Sequence, residues 1–214
     1  GMIAGVSLNN HMLLAAGVLG TTAASLSRIL RLGAGGVVTK SIGPKPKDGH
    51  HGPSLIPVSG GILNAMGLPN PSAEFAGEIA PLLTAQKPVV VSIFGGTPAE
   101  FTKVAEWFPD APAFELNLSC PHAEGYGAAI GANPRIVREC TEAIKTFGKP
   151  VWVKLTPNVA DISVIGRAAE EGGADAIVAI NTVKAMRIST GMRRPVLGNK
   201  FGGLSGTAVF PIAV

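Results

Sequence analysis

Short apolar runs that alternate with helical patterns constrain the fold of this chain more than any other feature. Six strand-like runs are separated by stretches whose apolar positions recur at helical spacing. Several runs are apolar at nearly every position, which is typical of strands buried on both faces of a parallel sheet. The alternation therefore predicts an α/β fold with a parallel sheet.

The predicted elements follow one another closely along the chain. The predicted strands are residues 12–16, 36–40, 89–94, 113–119, 151–155 and 176–181, and the predicted helices are 22–32, 72–83, 98–108, 134–147 and 161–172. Polar residues directly after the strands favour a (β/α)8 TIM barrel, whose active site lies at the carboxyl ends of its strands. A complete barrel of this type has about 250 residues. Six strands predict that residues 1–214 form a single barrel domain, C-terminally incomplete and lacking its last two βα units. The glycine-rich stretch 59–70 is predicted to be a long loop, and a second glycine-rich stretch, 202–206, follows the sixth strand by about twenty residues.

Composition narrows the class of partner. The net charge of +4 comes from 18 basic and 14 acidic residues without a dense Lys/Arg cluster, which favours an anionic small ligand and argues against nucleic acid. The apolar run 12–19 is too short to span a bilayer, so we expect a cytoplasmic protein with no membrane partner. Four His and two Cys residues show no ligand spacing, so no metal is expected. Cys140 is predicted to be a small apolar residue on a helix.

Polar residues at the strand ends are the candidates for chemistry. In a barrel, Lys40, Asn117, Cys120, Lys154 and Asn181 would converge on one rim. An asparagine amide both donates and accepts, which matches the amide edges of a pyrimidine or flavin ring. A lysine supplies positive charge near a ring that becomes anionic on reduction or near a substrate carboxylate. A thiol whose pKa is lowered can accept a proton. Glu115 shares a face with Asn117, and the sequence assigns it no role.

These segments together resemble the class 1 dihydroorotate dehydrogenases over nearly the whole chain. The matching stretches are Ala15-Ala16-Gly17, Thr39-Lys40-Ser41, the seven residues from Asn64 to Asn70, the five from Asn117 to Pro121, the six from Val153 to Asn158, Asn181-Thr182 and the five from Gly202 to Gly206. Their order and spacing match as well. The combination is specific, whereas each stretch alone is not.

The resemblance implies FMN at the mouth of an eight-stranded barrel and oxidation of dihydroorotate to orotate in pyrimidine synthesis. It implies that Cys120 removes the C5 proton while the C6 hydrogen leaves as hydride for flavin N5. The implied substrate-binding residues are Lys40, Asn64, Met66, Gly67, Leu68, Asn117, His122, Asn181 and Thr182. The implied cofactor-binding residues are Ala16, Gly17, Lys40, Ser41, Ser92, Asn117, Lys154, Ile180 and Gly206.

The same resemblance bears on class and partners. Cys120 indicates class 1, because the membrane-attached class 2 enzymes use serine there. The likeness is closer to the type that works with an electron-transfer subunit carrying FAD and a [2Fe-2S] cluster, and family members are commonly homodimers. His122 departs from the pattern, since the family usually has asparagine directly after Cys-Pro.

Two alternative functions stay open. Residues 119–122 and 155–159 also resemble the flavin domain of dihydropyrimidine dehydrogenases, which act on uracil and thymine. The stretch from Asn64 to Asn70 favours dihydroorotate, because it matches the loop that binds the substrate carboxylate. The other alternative is a non-catalytic barrel fragment that binds no flavin.

Overall fold

The computed structural model describes residues 1–118 and 128–214. Its strands are β1 Met2–Ile3, β2 Val6–Ser7, β3 Leu13–Leu14, β4 Gly36–Val38, β5 Leu55–Val58, β6 Gly61–Asn64, β7 Val89–Ile93, β8 Phe114–Asn117, β9 Val151–Lys154, β10 Ala176–Val178, β11 Val183–Ala185, β12 Ile188–Ser189, β13 Arg194–Pro195 and β14 Gly202–Ser205. Its helices are α1 Ala23–Arg31, α2 Glu74–Thr84, α3 Pro98–Ala105, α4 Ala128–Gly131, α5 Pro134–Lys145, α6 Ile162–Glu171 and α7 Phe210–Ala213, with a 3-10 turn over Thr207–Val209.

A six-stranded parallel sheet forms the centre of the protein, in the order β10-β9-β8-β7-β4-β3. Strands β7, β8 and β9 are buried at every position, as expected of central strands covered on both faces, and their buried positions include the polar residues Ser92, Glu115, Asn117 and Lys154. The α/β prediction is thereby confirmed, and each predicted strand has a counterpart. The outermost strands are shorter than predicted, because β3 and β10 pair on one side only in the described part of the sheet.

The helices begin where the sequence provides capping groups. Thr22, Thr97, Asn133 and Asp161 each accept a hydrogen bond from the first turn of the helix that follows. The helices pack their apolar faces on the sheet, so the main core lies between these two layers. Cys140 on α5 is fully buried in this core, which confirms its prediction as an apolar residue. Burial, aided by the nearby charge of Glu139, raises the pKa of its thiol to about 12.

A second sheet, of four antiparallel strands in the order β11-β14-β6-β5, stands beside the parallel one. We call these four strands the antiparallel lobe. The prediction of one long loop over 59–70 is wrong, because β6 lies within that stretch, and the glycine-rich stretch 202–206 contains β14. Their glycines allow the close approach of two backbones: a Cβ at Gly61 would lie 1.9 Å from the carbonyl oxygen of Ser205.

Candidate functional site

A cavity of about 360 Å³ lies where the carboxyl ends of the parallel strands meet the antiparallel lobe. Parallel strands bring their carboxyl ends to one edge, so residues far apart in sequence line one space. The predicted site residues that line it are Ala16, Gly17, Lys40, Ser41, Asn64, Met66, Gly67, Leu68, Asn117, Lys154, Ile180, Asn181 and Thr182. Its volume falls within the range of roughly 300–1,000 Å³ that is usual for small-molecule sites.

Not every predicted site residue lies on the cavity wall. Ser92 is fully buried behind the lining, and Gly206 directly follows the lining residue Ser205. Cys120 and His122 lie outside the described residues. The lining residues that the predictions missed are Ala15, Val18, Leu204, Ser205 and Val209. Ala15, Val18 and Ser205 adjoin predicted positions, whereas Val209 carries no chemical signal in the sequence.

The floor of the cavity is a chain of hydrogen bonds across three neighbouring strands. The Asn117 amide donates to the Ser41 hydroxyl over 2.9 Å, and that hydroxyl shares a 2.8 Å hydrogen bond with the Ser92 hydroxyl. The backbone N–H of Ser92 donates in turn to Oγ1 of Thr39 over 3.0 Å. All these groups are buried, so the network fixes the Asn117 amide in place. Ser92 therefore does not line the cavity itself but holds the lining residue Ser41 by a hydrogen bond.

Two lysines bring positive charge to the cavity. Lys40 follows β4 and Lys154 ends β9, and their side chains are only 7% and 8% exposed. Buried ammonium groups are retained in proteins where a partner of opposite charge or a set of hydrogen bonds compensates their desolvation. The two lysines make the cavity suited to an anionic ligand.

The antiparallel lobe and its connections carry an excess of basic residues. Residues 41–70 and 176–214 contain seven basic residues and one acidic residue, which leaves 11 basic and 13 acidic residues for the rest of the chain. The basic residues are Lys45, Lys47, Lys184, Arg187, Arg193, Arg194 and Lys200, and the acidic one is Asp48. Charge of one sign beside a cleft raises the local concentration of ligands of the opposite sign.

Loop 65–70 closes the cavity above the lobe. Gly67 and Leu68 have positive φ values of 78° and 56°, a conformation that glycine adopts without strain. The Asn70 side chain holds the loop, since its Oδ1 accepts from the N–H groups of Gly43 and Ser72 while its Nδ2 donates to the Leu68 carbonyl over 3.0 Å. The backbone from Met66 to Leu68 is therefore held at the wall of the cavity.

Glu115 is a buried acid directly beneath the floor. It lies two residues before Asn117 on the same face of β8, and it is 2% exposed. Its Oε1 has no hydrogen-bond partner among the described residues. Burial raises the pKa of the Glu115 carboxyl, and the positive charge of Lys154 opposes that shift. The protonated acid is thus favoured in the folded protein.

Replacing Glu115 with glutamine is expected to change how stability depends on pH. The pKa of the Glu115 carboxyl is higher in the folded protein than in the unfolded chain. Protonated Glu115 therefore contributes fully to the free energy of unfolding below the unfolded pKa, and this contribution is lost as pH rises through the folded pKa. Glutamine cannot ionise, so the free energy of unfolding of Glu115→Gln should gain on the wild type as pH rises through that window. Urea unfolding at a series of pH values measures this. The exposed Glu170→Gln variant is the control, and parallel curves for Glu115→Gln and the wild type would contradict the expectation.

Other kinds of site find little support in the described residues. Within residues 1–118 and 128–214, no group of three or more His, Cys, Asp and Glu side chains is placed to hold a metal ion. None of the helices described is both long enough and apolar enough to cross a bilayer. The cavity beside the lobe therefore remains the candidate site.

Comparison with known proteins identifies the family. The family model described as dihydroorotate dehydrogenase matches residues 2–214. The catalytic subunit of dihydroorotate dehydrogenase B (NAD(+)) from Methanocella arvoryzae is 60% identical over 212 residues, which cover 98% of this chain and 70% of that protein. The protein of the same name from Methanosarcina mazei is 61% identical over 223 residues, covering 99% of this chain and 69% of the relative.

Solved structures show the same fold at low sequence identity. A ligand-free DHODH from Eimeria tenella aligns with a TM-score of 0.81 at 17% identity, over 100% of this chain and 68% of that one. The same organism's DHODH in complex with ferulenol aligns with a TM-score of 0.75 at 19% identity, over 91% of this chain and 61% of that one. This chain thus spans about two thirds of the length of its relatives. The family match and the identities of 60% and 61% establish that the chain belongs to the dihydroorotate dehydrogenase family.

Proposed function

We propose that the cavity binds FMN and dihydroorotate and that the protein oxidises dihydroorotate to orotate in de novo pyrimidine biosynthesis. The observation that carries this proposal is the meeting of two buried lysines with three asparagine amides, those of Asn64, Asn117 and Asn181, around one space. Amides match the donor and acceptor edges of flavin and pyrimidine rings, and ammonium groups match their negative charge. The family and the names of the relatives support the same activity.

The residues present fit a flavin. Lys154 and Lys40 supply buried positive charge, and the fixed Asn117 amide offers a donor at the floor. Gly17 leaves the wall open, because a Cβ there would meet no atom within 4 Å. When bound, FMN supplies a two-electron acceptor. We assign Lys154 to the flavin edge where negative charge grows on reduction and Lys40 to the space between flavin and substrate.

The substrate occupies the side of the cavity formed by the antiparallel lobe. Asn64 and the backbone from Met66 to Leu68 hold the carboxylate, and Asn181 with Thr182 holds the ring. Cys120 would accept the C5 proton, and the C6 hydrogen would leave with its electron pair as hydride for the two-electron acceptor that FMN supplies, so that a C5–C6 double bond forms. The motif also assigns His122, two residues after Cys120, to substrate binding, where the family usually has asparagine.

The proposal extends to architecture and partners. The six parallel strands are strands of a (β/α)8 barrel, and residues 1–214 belong to that single domain. The active form is a homodimer that works with an electron-transfer subunit carrying FAD and [2Fe-2S]. The relatives' description as the catalytic subunit of an NAD(+)-dependent enzyme supports such a partner. The cytoplasmic location stays a prediction of the sequence.

Uracil or thymine oxidoreduction is the second candidate, because residues 119–122 and 155–159 resemble dihydropyrimidine dehydrogenases. The placement of Asn64 and loop 65–70 on the cavity wall favours dihydroorotate, since a carboxylate needs such a subsite and uracil lacks the carboxylate. The two substrates therefore provide a direct test.

The test is anaerobic reduction of the flavin bound to the purified protein. We expect dihydroorotate to bleach the flavin absorbance and dihydrouracil to leave it unchanged at the same concentration. If dihydrouracil bleached the flavin and dihydroorotate did not, the dihydroorotate assignment would be wrong and uracil or thymine oxidoreduction would take its place. A protein that binds no FMN when purified or reconstituted would instead support the non-catalytic fragment.

A further inference from the structure

Asn158 lies outside the cavity wall, yet it ties the loop after β9 to the connection that leads into β11. It follows β9 by four residues, at the carboxyl end of the parallel sheet. Its Nδ2 donates to Oγ1 of Thr156 over 3.0 Å and to the carbonyl oxygen of Thr182 over 3.1 Å. Its Oδ1 accepts from the backbone N–H of Lys184 over 2.9 Å. One amide thus uses both its donor and its acceptor on the segment from Thr182 to Lys184.

The segment held by Asn158 is the connection between the two sheets. Asn181 and Thr182 link β10 of the parallel sheet to β11 of the antiparallel lobe. The backbone N–H of Asn181 donates to the Leu155 carbonyl over 2.9 Å, and that of Thr182 donates to Oδ1 of Asn181 over 2.8 Å. Asn158 adds the contacts on either side of Val183. The same connection is also held by the hydrogen bond from Asn181 to Leu155, and the pairing of β11 with β14 begins at Val183.

We propose that Asn158 is a positioning residue that fixes the Asn181–Thr182 connection and thereby sets the affinity of the site for dihydroorotate and orotate. The inference rests on the proposed function, and it adds a residue that touches neither substrate nor flavin. Both Asn181 and Thr182 line the cavity, so a shift of their backbone displaces two ligand-binding groups together. Lys40, Asn117 and Lys154 are held by other strands and keep their places.

The amide is the required group at this position. In Asn158→Asp the acceptor for the Lys184 N–H remains, but a carboxylate oxygen replaces the donor and faces the Thr182 carbonyl. In Asn158→Ala the hydrogen bonds of the side chain to Thr156, Thr182 and Lys184 are all lost. The aspartate variant keeps the size of the side chain, so it tests the donor even where the alanine variant folds poorly.

The experiment compares Asn158→Asp and Asn158→Ala with the wild type. Each variant is titrated with orotate, followed by the flavin spectrum, and then assayed with dihydroorotate. We expect the orotate dissociation constant and the KM for dihydroorotate to rise roughly tenfold. The FMN content and the rate of flavin reduction at saturating dihydroorotate should stay within about twofold, because the groups assigned to flavin and proton transfer are held elsewhere.

The matched control is Asn10→Ala at the opposite end of the sheet. The Asn10 amide also donates to a carbonyl, that of Gly33 over 2.8 Å, and accepts from a backbone N–H, that of Met12 over 2.9 Å. Unchanged orotate binding in both Asn158 variants would overturn the inference, and so would an equal effect of Asn10→Ala. The proposed function fails separately, if dihydroorotate does not reduce the wild-type flavin.

Discussion

Replacing Gly203 with alanine is expected to weaken orotate binding by roughly 5- to 150-fold, which corresponds to the cost of about 1–3 kcal/mol for an overpacked methyl group. A Cβ at Gly203 would lie 1.9 Å from Oγ1 and 2.5 Å from Cβ of Thr182. Rotation of the threonine side chain removes only the first of these clashes. Gly203 of β14 pairs with Lys184 of β11. To make room for the methyl group, either Thr182 leaves its place on the cavity wall or β14 separates from β11.

The dissociation constant is measured by titrating the flavin spectrum with orotate. Gly191→Ala is the control, since a Cβ at Gly191 meets no atom within 4 Å. Urea unfolding of both variants separates a local displacement from a general loss of stability. Wild-type affinity in Gly203→Ala would show that Thr182 does not contribute to the ligand site.

The parallel sheet and its helices were predictable because each element carries its own signal. Strand β7 is apolar at four of five positions and buried at all five, so its sequence identifies it without knowledge of its neighbours. The caps at Thr97 and Asn133 mark the starts of α3 and α5 in the same local way. Such signals depend on residues within one or two turns, which a single sequence contains.

The antiparallel lobe was not predictable in this way. Strand β6 consists of Gly61–Asn64, and its partner across the sheet, β14, pairs Gly203 with Asn64 from 139 residues further along the chain. In a single sequence, a glycine-rich stretch predicts a loop. The presence of glycine in these strands is explained only by the close approach of the two backbones, which the sequence does not show. For the same reason, the roles of Ser92 and Asn158 as supports became visible only once their hydrogen-bond partners were placed.

Replacing Cys120 with serine is expected to slow flavin reduction by dihydroorotate by about 10²–10⁴-fold, the usual contribution of general acid–base catalysis. Its assignment comes from the motif of residues 117–121, and the described strand β8 ends at Asn117, whose amide lies in the cavity floor. The deprotonated side chain is the form that accepts the C5 proton. A serine hydroxyl is far less acidic than a thiol, so this form is scarcely populated at neutral pH and proton transfer is much slower.

Anaerobic stopped-flow mixing with dihydroorotate measures the single-turnover rate directly. The FMN content of Cys120→Ser should equal that of the wild type, because the groups assigned to the flavin are Lys40, Ser41, Asn117 and Lys154. Cys140→Ser is the matched control: its thiol is fully buried in the core against the helices, so its replacement lowers the free energy of unfolding and leaves the rate of flavin reduction nearly unchanged. If Cys120→Ser reduced its flavin as fast as the wild type at neutral pH, the thiol would not be the base, and His122 would be the next side chain to replace.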